Sequence, residues 1–252
     1  MGIIKKYKEK INTTILKIKN EYKHRKDERE RIRQEKKRIK EERKRREEEV
    51  YREKIFSQHL KHTNPGAYGE YLIFKILNSN HIPGYKRILN NIYIPYNGRT
   101  SEIDILMINE KGIFVFESKN YSGWIFGSAE QKKWTQSLNK YTKTQFYNPI
   151  RQNATHINAI SQYLRIDKKL MKSIIVFSDE CVLMKIPQNT EHYTITQSYY
   201  LTDVMKQELY YRNNVFSISD IDNIAIALEP LTNVSEEIKQ SHIENINRNY
   251  KK

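Results

Sequence analysis

The chain has 252 residues, with 38% hydrophobic and 30% charged side chains and a formal net charge of +15. Its single cysteine, Cys181, excludes an intramolecular disulfide and a cysteine-rich zinc site, and no run approaches the roughly 18 apolar residues of a spanning helix. The 45 Lys and Arg against 30 Asp and Glu favour a polyanionic partner, nucleic acid before an anionic membrane surface, over a lysine-rich composition with no basic site.

The first residues, M-G-I-I-K-K-Y-K-E-K, lack the apolar core of a signal peptide and the sixth-position Ser or Thr of a myristoylation signal. The expectation is a soluble cytoplasmic protein. Ile3, Ile4, Tyr7, Ile11, Ile15 and Ile18 recur at helical spacing between lysines, a short basic amphipathic helix that packs on the globular part or meets a membrane or partner. From Lys17 to about Lys54 the chain is mostly Lys, Arg and Glu without Gly or Pro. Pairs such as Glu42–Arg46 support a long solvated helix, with a disordered arm as the competitor. Ile32 and Ile39 stand a heptad apart with no second apolar position between them, so the arm is coiled-coil-like without being a strong coiled coil. Residues 1–58 are read as a charged helical arm, 62–230 as the globular domain and 231–252 as a C-terminal helix or tail.

In the globular part, N-P-G-A-Y-G-E-Y-L-I-F-K-I-L-N reads as a turn and an amphipathic helix, with Glu70 in its first turn, where a carboxylate suits the helix dipole. Y-K-R-I-L-N-N-I-Y-I-P, E-I-D-I-L-M-I and G-I-F-V-F-E-S-K are strand-like, and N-E-K-G joins the last two as a hairpin. W-I-F-G and K-W-T-Q-S-L are further short strands. Asn148-Pro149 caps a helix to about Leu164. S-I-I-V-F-S is a buried strand, Y-T-I-T is another, and two helices close the domain. This order predicts an α/β fold, a mixed sheet flanked by helices on both faces, with a long charged N-terminal α-helical arm.

The hairpin register follows from Ile108 and Ile113 flanking a four-residue loop. Continued, that ladder sets Asp104 opposite Glu117 and Glu102 opposite Lys119, with all four side chains on one face. Opposed carboxylates repel. Hard oxygen ligands without His or Cys suit Mg²⁺ or Mn²⁺, and Lys119 can neutralise charge building on a phosphate. The plain alternative is a solvent-exposed strand end with ordinary surface charges.

G-x-Y-G-E (66–70), S-E-I-D (101–104), G-I-F-V-F-E-S-K-N-Y-S-G (112–123), Trp134 and N-P-I-R-Q-N-x-x-H-I (148–157) together resemble the NERD, or nuclease-related, domain, from about Pro65 to Phe177 and more weakly towards Pro230. The resemblance implies the PD-(D/E)XK nuclease superfamily and its restriction-endonuclease-like core. Residue by residue, it implies Asp104 as the metal-binding aspartate, Glu117 as the (D/E), Lys119 as the lysine, Glu70 as the acidic residue of the preceding helix and Gln152 as the family's glutamine. No proline precedes Asp104, where Ile103 stands. The implied activity is that of a Mg²⁺-dependent (or Mn²⁺-dependent) endodeoxyribonuclease acting on DNA, RNA being the other polynucleotide class. Its metal ligands would be Asp104, Glu117, the Ser118 carbonyl and Glu70.

Gln152 and His156 are four apart and share a helical face. His156 is read first as a partly buried histidine that packs the helix. Trp124, Trp134 and Tyr121 are read as core aromatics before base-stacking ones, and Gly123 and Gly127 as permitting a tight turn or close packing. Two other functions stay open: a non-catalytic nucleic-acid-binding module, and an adaptor whose arm meets a membrane or partner protein.

Overall fold

The computed structural model describes residue 28 and residues 30–244 with their side chains, so the amphipathic pattern of residues 3–18 lies outside the described residues. The chain divides into two compact units, Met1–His59 and Leu60–Lys252. The first belongs to one helix, α1 (Gly2–Thr63). In its described part, Lys37–Glu41, Arg43–Glu47, Arg45–Glu49 and Arg46–Glu42 form exposed pairs four residues apart. Each contributes roughly 0.3–0.5 kcal/mol. Ile32, Ile39, Val50 and Ile55 are all exposed, as expected of a solvated helix.

The second unit opens with α2 (Pro65–Leu77), started by Pro65 and capped by Asn64, whose Oδ1 accepts from the Ala67 N–H at 3.1 Å. Glu70 lies in the second turn, one turn beyond the position expected for it, because the helix begins at Pro65. A meander follows: β1 (Lys86–Tyr96), β2 (Arg99–Asn109) and β3 (Gly112–Lys119). The β2–β3 turn has only Glu110 and Lys111 between the paired Asn109 and Gly112, shorter than the expected loop, yet Ile108 still faces Ile113.

β7 (Met171–Phe177) pairs parallel to β3, and β9 (Tyr193–Gln197) parallel to β7, giving the sheet order β1-β2-β3-β7-β9. The central strands β3 and β7 are covered on both faces, which is why each reads as an unbroken apolar run. On one face, α2 and α4 (Leu201–Tyr211) bury Ile73, Leu77 and Met205 against Phe114, Phe116 and Ile174. On the other, α3 (Pro149–Leu164) and α5 (Ile218–Leu228) bury Ile160, Ile221 and Leu228 against Ile113, Val115 and Leu106.

A second sheet stands beside the first, in the order β6-β5-β4-β8: β4 (Gly123–Phe126), β5 (Lys133–Ser137), β6 (Lys143–Tyr147) and β8 (Cys181–Lys185). Sequence periodicity finds β4 and β5 and misses β6 and β8. Ile125, Trp134, Phe146 and Cys181 from this sheet pack on Ile175 and Phe177 of β7. The last helix, α6 (Glu236–Tyr250), meets β2 through His242, whose Nδ1 lies 3.0 Å from Thr100 Oγ1. No helix among the described residues is long and apolar enough to cross a membrane.

Candidate active site

The site lies where β2 and β3 part. Their ladder runs from Asn109–Gly112 to Ile105–Phe116 and stops there, while β3 continues beside β7 through Lys119 opposite Phe177. The next pair would be Asp104 and Glu117, as the hairpin register predicts. In place of a further ladder rung, Asp104 Oδ2 accepts the Ser118 N–H at 2.8 Å.

The cause is visible in β1. The pairs Asn90–Ile105 and Ile92–Ile103 leave Asn91 and Asp104 facing each other, and Asn91 has a φ of 51°. The alternation of faces slips at this point on both strands. Leu89 shares its core with Ile92 and Ile94, and Ile103 shares it with Leu106 and Ile108. Strict alternation forbids those spacings of three. The local twist frees the Asp104 carboxylate from the regular pleat and carries residues beyond it to the opposite face.

Glu102 is the residue corrected by this slip. It does not share a face with Lys119. It accepts from the Tyr93 hydroxyl at 2.5 Å and lies 3.4 Å from His242 Nε2.

Glu117 and Lys119 stay on the α3 face, two residues apart on a rigid strand. Glu117 is 1% exposed. Its Oε1 accepts from Lys119 Nζ at 2.5 Å and its Oε2 lies 3.1 Å from His156 Nε2. Lys119 also donates to Gln152 Oε1 at 3.2 Å. His156 reaches Ser101 Oγ with its other ring nitrogen at 2.7 Å. Asn148 fixes the start of α3, and so Gln152: its Nδ2 donates to the carbonyls of Ser128, Ala129 and Gln131, while its Oδ1 accepts from the Ile150 N–H. Asn153 ties the same helix to the sheet through the Val115 carbonyl at 2.8 Å.

Glu70 arrives from the α2 side. Gly69 lets that helix approach, since a Cβ there would sit 2.8 Å from Ser118 Oγ and 3.3 Å from Asn120 Cβ. A cleft of about 140 Å³ lies between Tyr68, Gly69, Ser118, Lys119 and Asp179.

The charges are unequal. Burial, then the charge of Glu117, pushes the Asp104 carboxyl well above the usual carboxylate range, against Lys119 and the Ser118 hydrogen bond. Burial, then the charges of Glu102 and Glu117, pushes Glu70 up to about 7. Burial acts in the same sense on Glu117, but Lys119 and His156 outweigh it and hold that carboxyl below its ordinary value. Lys119 is raised above the ordinary ammonium range because Glu117 and Asp104 outweigh its own burial. One ammonium thus faces three carboxyl groups, two of which are pushed towards the neutral form, a crowding that a divalent cation would relieve. Among the described residues no three His, Cys, Asp or Glu side chains form a ready-made metal cage. The donors offered are carboxylate oxygens, which fit a hard, partly hydrated ion and not a zinc cage.

Glu70, Asp104, Glu117, Lys119 and Gln152 are therefore brought together, and Ser118 joins them through its N–H. His156 belongs with them as well, a packing residue by sequence and a ligand of Glu117 by geometry. The signal was its spacing from Gln152. Trp134 is not available to a base: it is fully buried, stacked on Phe177 at 6.2 Å, and donates from Nε1 to the Ser128 carbonyl at 2.9 Å. Tyr121 packs on Phe146 at 4.5 Å, whereas Trp124 is 50% exposed.

The chain is similar to an uncharacterized protein of Bacillus anthracis, 28% identical over 188 residues that cover 74% of this chain and 86% of that protein. No solved structure matches. The family model of the nuclease-related (NERD) domain matches residues 65–178, from the start of α2 to just past the end of β7, a stretch that contains Glu70, Asp104, Glu117, Ser118, Lys119, Gln152 and His156.

Proposed function

We propose that the protein is a metal-dependent nuclease of the PD-(D/E)XK type that hydrolyses phosphodiester bonds of DNA. The observation that carries this reading is the Lys119 ammonium, pinned between Glu117 Oε1 and Gln152 Oε1 beside the Asp104 carboxylate. A lysine fixed on a strand end next to surplus carboxylates is poised for a phosphate and its counter-ion together.

Asp104, Glu117 and the Ser118 carbonyl would hold Mg²⁺ or Mn²⁺, with Glu70 assisting through water. Such an ion, when bound, supplies a more acidic water and offsets phosphate charge. The chain's own groups do the rest. Lys119 directs its positive charge at the phosphate, where negative charge grows as the attacking oxygen adds. Gln152 restrains the ammonium without adding charge. His156 and Ser101 keep Glu117 in one orientation. The basic surface holds the backbone of the nucleic acid, with strong salt dependence.

The test is cleavage of plasmid and linear DNA with Mg²⁺ or Mn²⁺ by the wild type, Asp104→Asn and Lys119→Ala. Metal-dependent cutting lost in both variants is expected. Wild type that cuts neither DNA nor RNA, or variants that cut equally well, would overturn the assignment.

One observation favours a second reading. Both Glu117 oxygens are already engaged, by Lys119 and by His156. A buried network of that kind also serves a nucleic-acid-binding module that does not cut. Retained DNA binding with no metal-dependent cleavage selects it.

A further inference from the structure

The second sheet has two unlike faces. Ile125, Trp134, Phe146 and Cys181 turn inward. Alternation sends Trp124, Val182 and Met184 outward, and these are 50%, 52% and 54% exposed. Trp124 pairs with Val182 on one side and Ser137 on the other, and Ser137 pairs with Lys143. One row across the face thus runs from Val182 through the exposed Trp124 and the buried Ser137 to Lys143. Among the described residues no helix packs broadly on these four strands.

The charge of this sheet is one-sided. Its strands, G-W-I-F, K-W-T-Q-S, K-T-Q-F-Y and C-V-L-M-K, contain Lys133, Lys143 and Lys185 and no Asp or Glu. The β5–β6 loop adds Tyr141, which is 88% exposed, with Lys140 Nζ 5.8 Å from its ring centroid. Exposed aromatics between lysines, with no carboxylate on the strands, match a polyanion whose units carry flat apolar faces. They match a second copy of this chain poorly, since two such faces would set lysines against lysines.

Position points the same way. Trp124 is five residues beyond Lys119, so the two backbones lie within about 18 Å of each other.

From the exposed Trp124, the acid-free lysine strands and their nearness to Lys119, we propose that the outer face of the second sheet is a stacking platform for single-stranded nucleic acid, leading the strand to the candidate active site. The proposal rests on the nucleic-acid reading above and adds a preference for single strands. In duplex DNA the base faces are covered by their neighbours and cannot reach Trp124. The lysines hold phosphates, so affinity falls with salt.

Tryptophan fluorescence makes the test direct. The chain has two tryptophans, and Trp134 is buried in the core, so quenching by a stacked base reports Trp124. Full-length protein in EDTA is titrated with fluorescein-labelled oligo(dT) and, separately, with a duplex of equal length. Quenching with the single strand and weaker duplex binding are expected. Trp124→Ala should abolish the quench and weaken oligo(dT) binding by about 5- to 100-fold, as loss of one stacked base does. Trp124→Tyr, which keeps a flat ring, should restore most of the affinity; it guards against misfolding as the cause. Unchanged oligo(dT) affinity in Trp124→Ala overturns the proposal. So does duplex binding as tight as single-strand binding, or a dimer in sedimentation that Trp124→Ala dissociates without altering affinity. Cleavage by the wild type separates the two readings: cutting without quenching fails the platform alone, and quenching without cutting fails the nuclease alone.

Discussion

His156 Nε2 lies 3.1 Å from Glu117 Oε2, and the same ring reaches Ser101 Oγ through Nδ1 at 2.7 Å. An ionised carboxylate only accepts, so Nε2 must carry the proton it donates to Glu117. The histidine therefore links α3 to β3 through the buried Glu117 carboxylate and to β2 through the Ser101 hydroxyl. Replacing His156 by alanine leaves Glu117 and Ser101 each short of a partner in a buried place. A loss of about 1–3 kcal/mol in unfolding free energy is expected. His156→Gln, which can still donate to Glu117, should recover part of it. Urea unfolding, with the slope unchanged and the midpoint lowered, checks both variants.

Glu70 gives the site a pH signature. Its folded carboxyl titrates near 7, raised first by burial and then by Glu102 and Glu117, whereas an unfolded glutamate titrates at about 4.3. The folded state therefore holds this proton more tightly. Relative to low pH, stability falls as pH rises from about 4.3 towards 7. Asp104, also raised, acts in the same sense. Glu117 is lowered, so its contribution is present above the unfolded value and is lost only as pH falls through its folded value. Melting temperature in EDTA should decline between pH 5 and 7, and Glu70→Gln should flatten the decline. If Glu70→Gln keeps the full slope, the titration belongs elsewhere. Mg²⁺ should raise the melting temperature more at pH 7.5 than at pH 5.5, because the ligands must be deprotonated to bind it.

The central part of this site was legible because a strand's period is short and rigid. Ile108 and Ile113 set a register that holds to Ile105–Phe116 and leaves Asp104 next to Glu117. Glu102 was not legible. A single left-handed residue, Asn91, changes which face follows it, and asparagine is compatible with either conformation. The strands β6 and β8 escaped for another reason. K-T-Q-F-Y and C-V-L-M-K are short and carry their inward residues against partners distant in sequence, so neither shows a periodicity of its own. His156 was half visible, since its shared face with Gln152 could be read, but not the Glu117 carboxylate beneath it.

Gly127 tests the packing of the second sheet. A Cβ there would fall 2.2–2.4 Å from three atoms of the Trp134 ring. Trp134 is fully buried between Phe146 and Phe177 and has no room to retreat. Gly127→Ala should destabilise the protein by about 1–3 kcal/mol through overpacking. The shift should appear in near-ultraviolet circular dichroism, which reports Trp134, as well as in the urea midpoint. An unperturbed aromatic signal would show that the ring is looser than its contacts imply.

Asp104 separates the requirements of folding from those of the proposed chemistry. Its carboxylate does two things: it accepts the Ser118 N–H at 2.8 Å, and it adds negative charge beside Glu117 in a place where burial opposes that charge. Asp104→Asn keeps an oxygen for the amide and removes the charge. Near neutral pH and without divalent ions, this variant should be at least as stable as the wild type. It should also gain less from Mg²⁺ and lose cleavage. Asp104→Ala removes the acceptor as well, leaving the Ser118 amide without its partner, and should be less stable than Asp104→Asn by about 1–3 kcal/mol. Three melting curves with and without Mg²⁺, read beside three cleavage assays, decide the matter. If Asp104→Asn is clearly less stable than the wild type in EDTA, the aspartate charge is structural, and its assignment as a ligand fails.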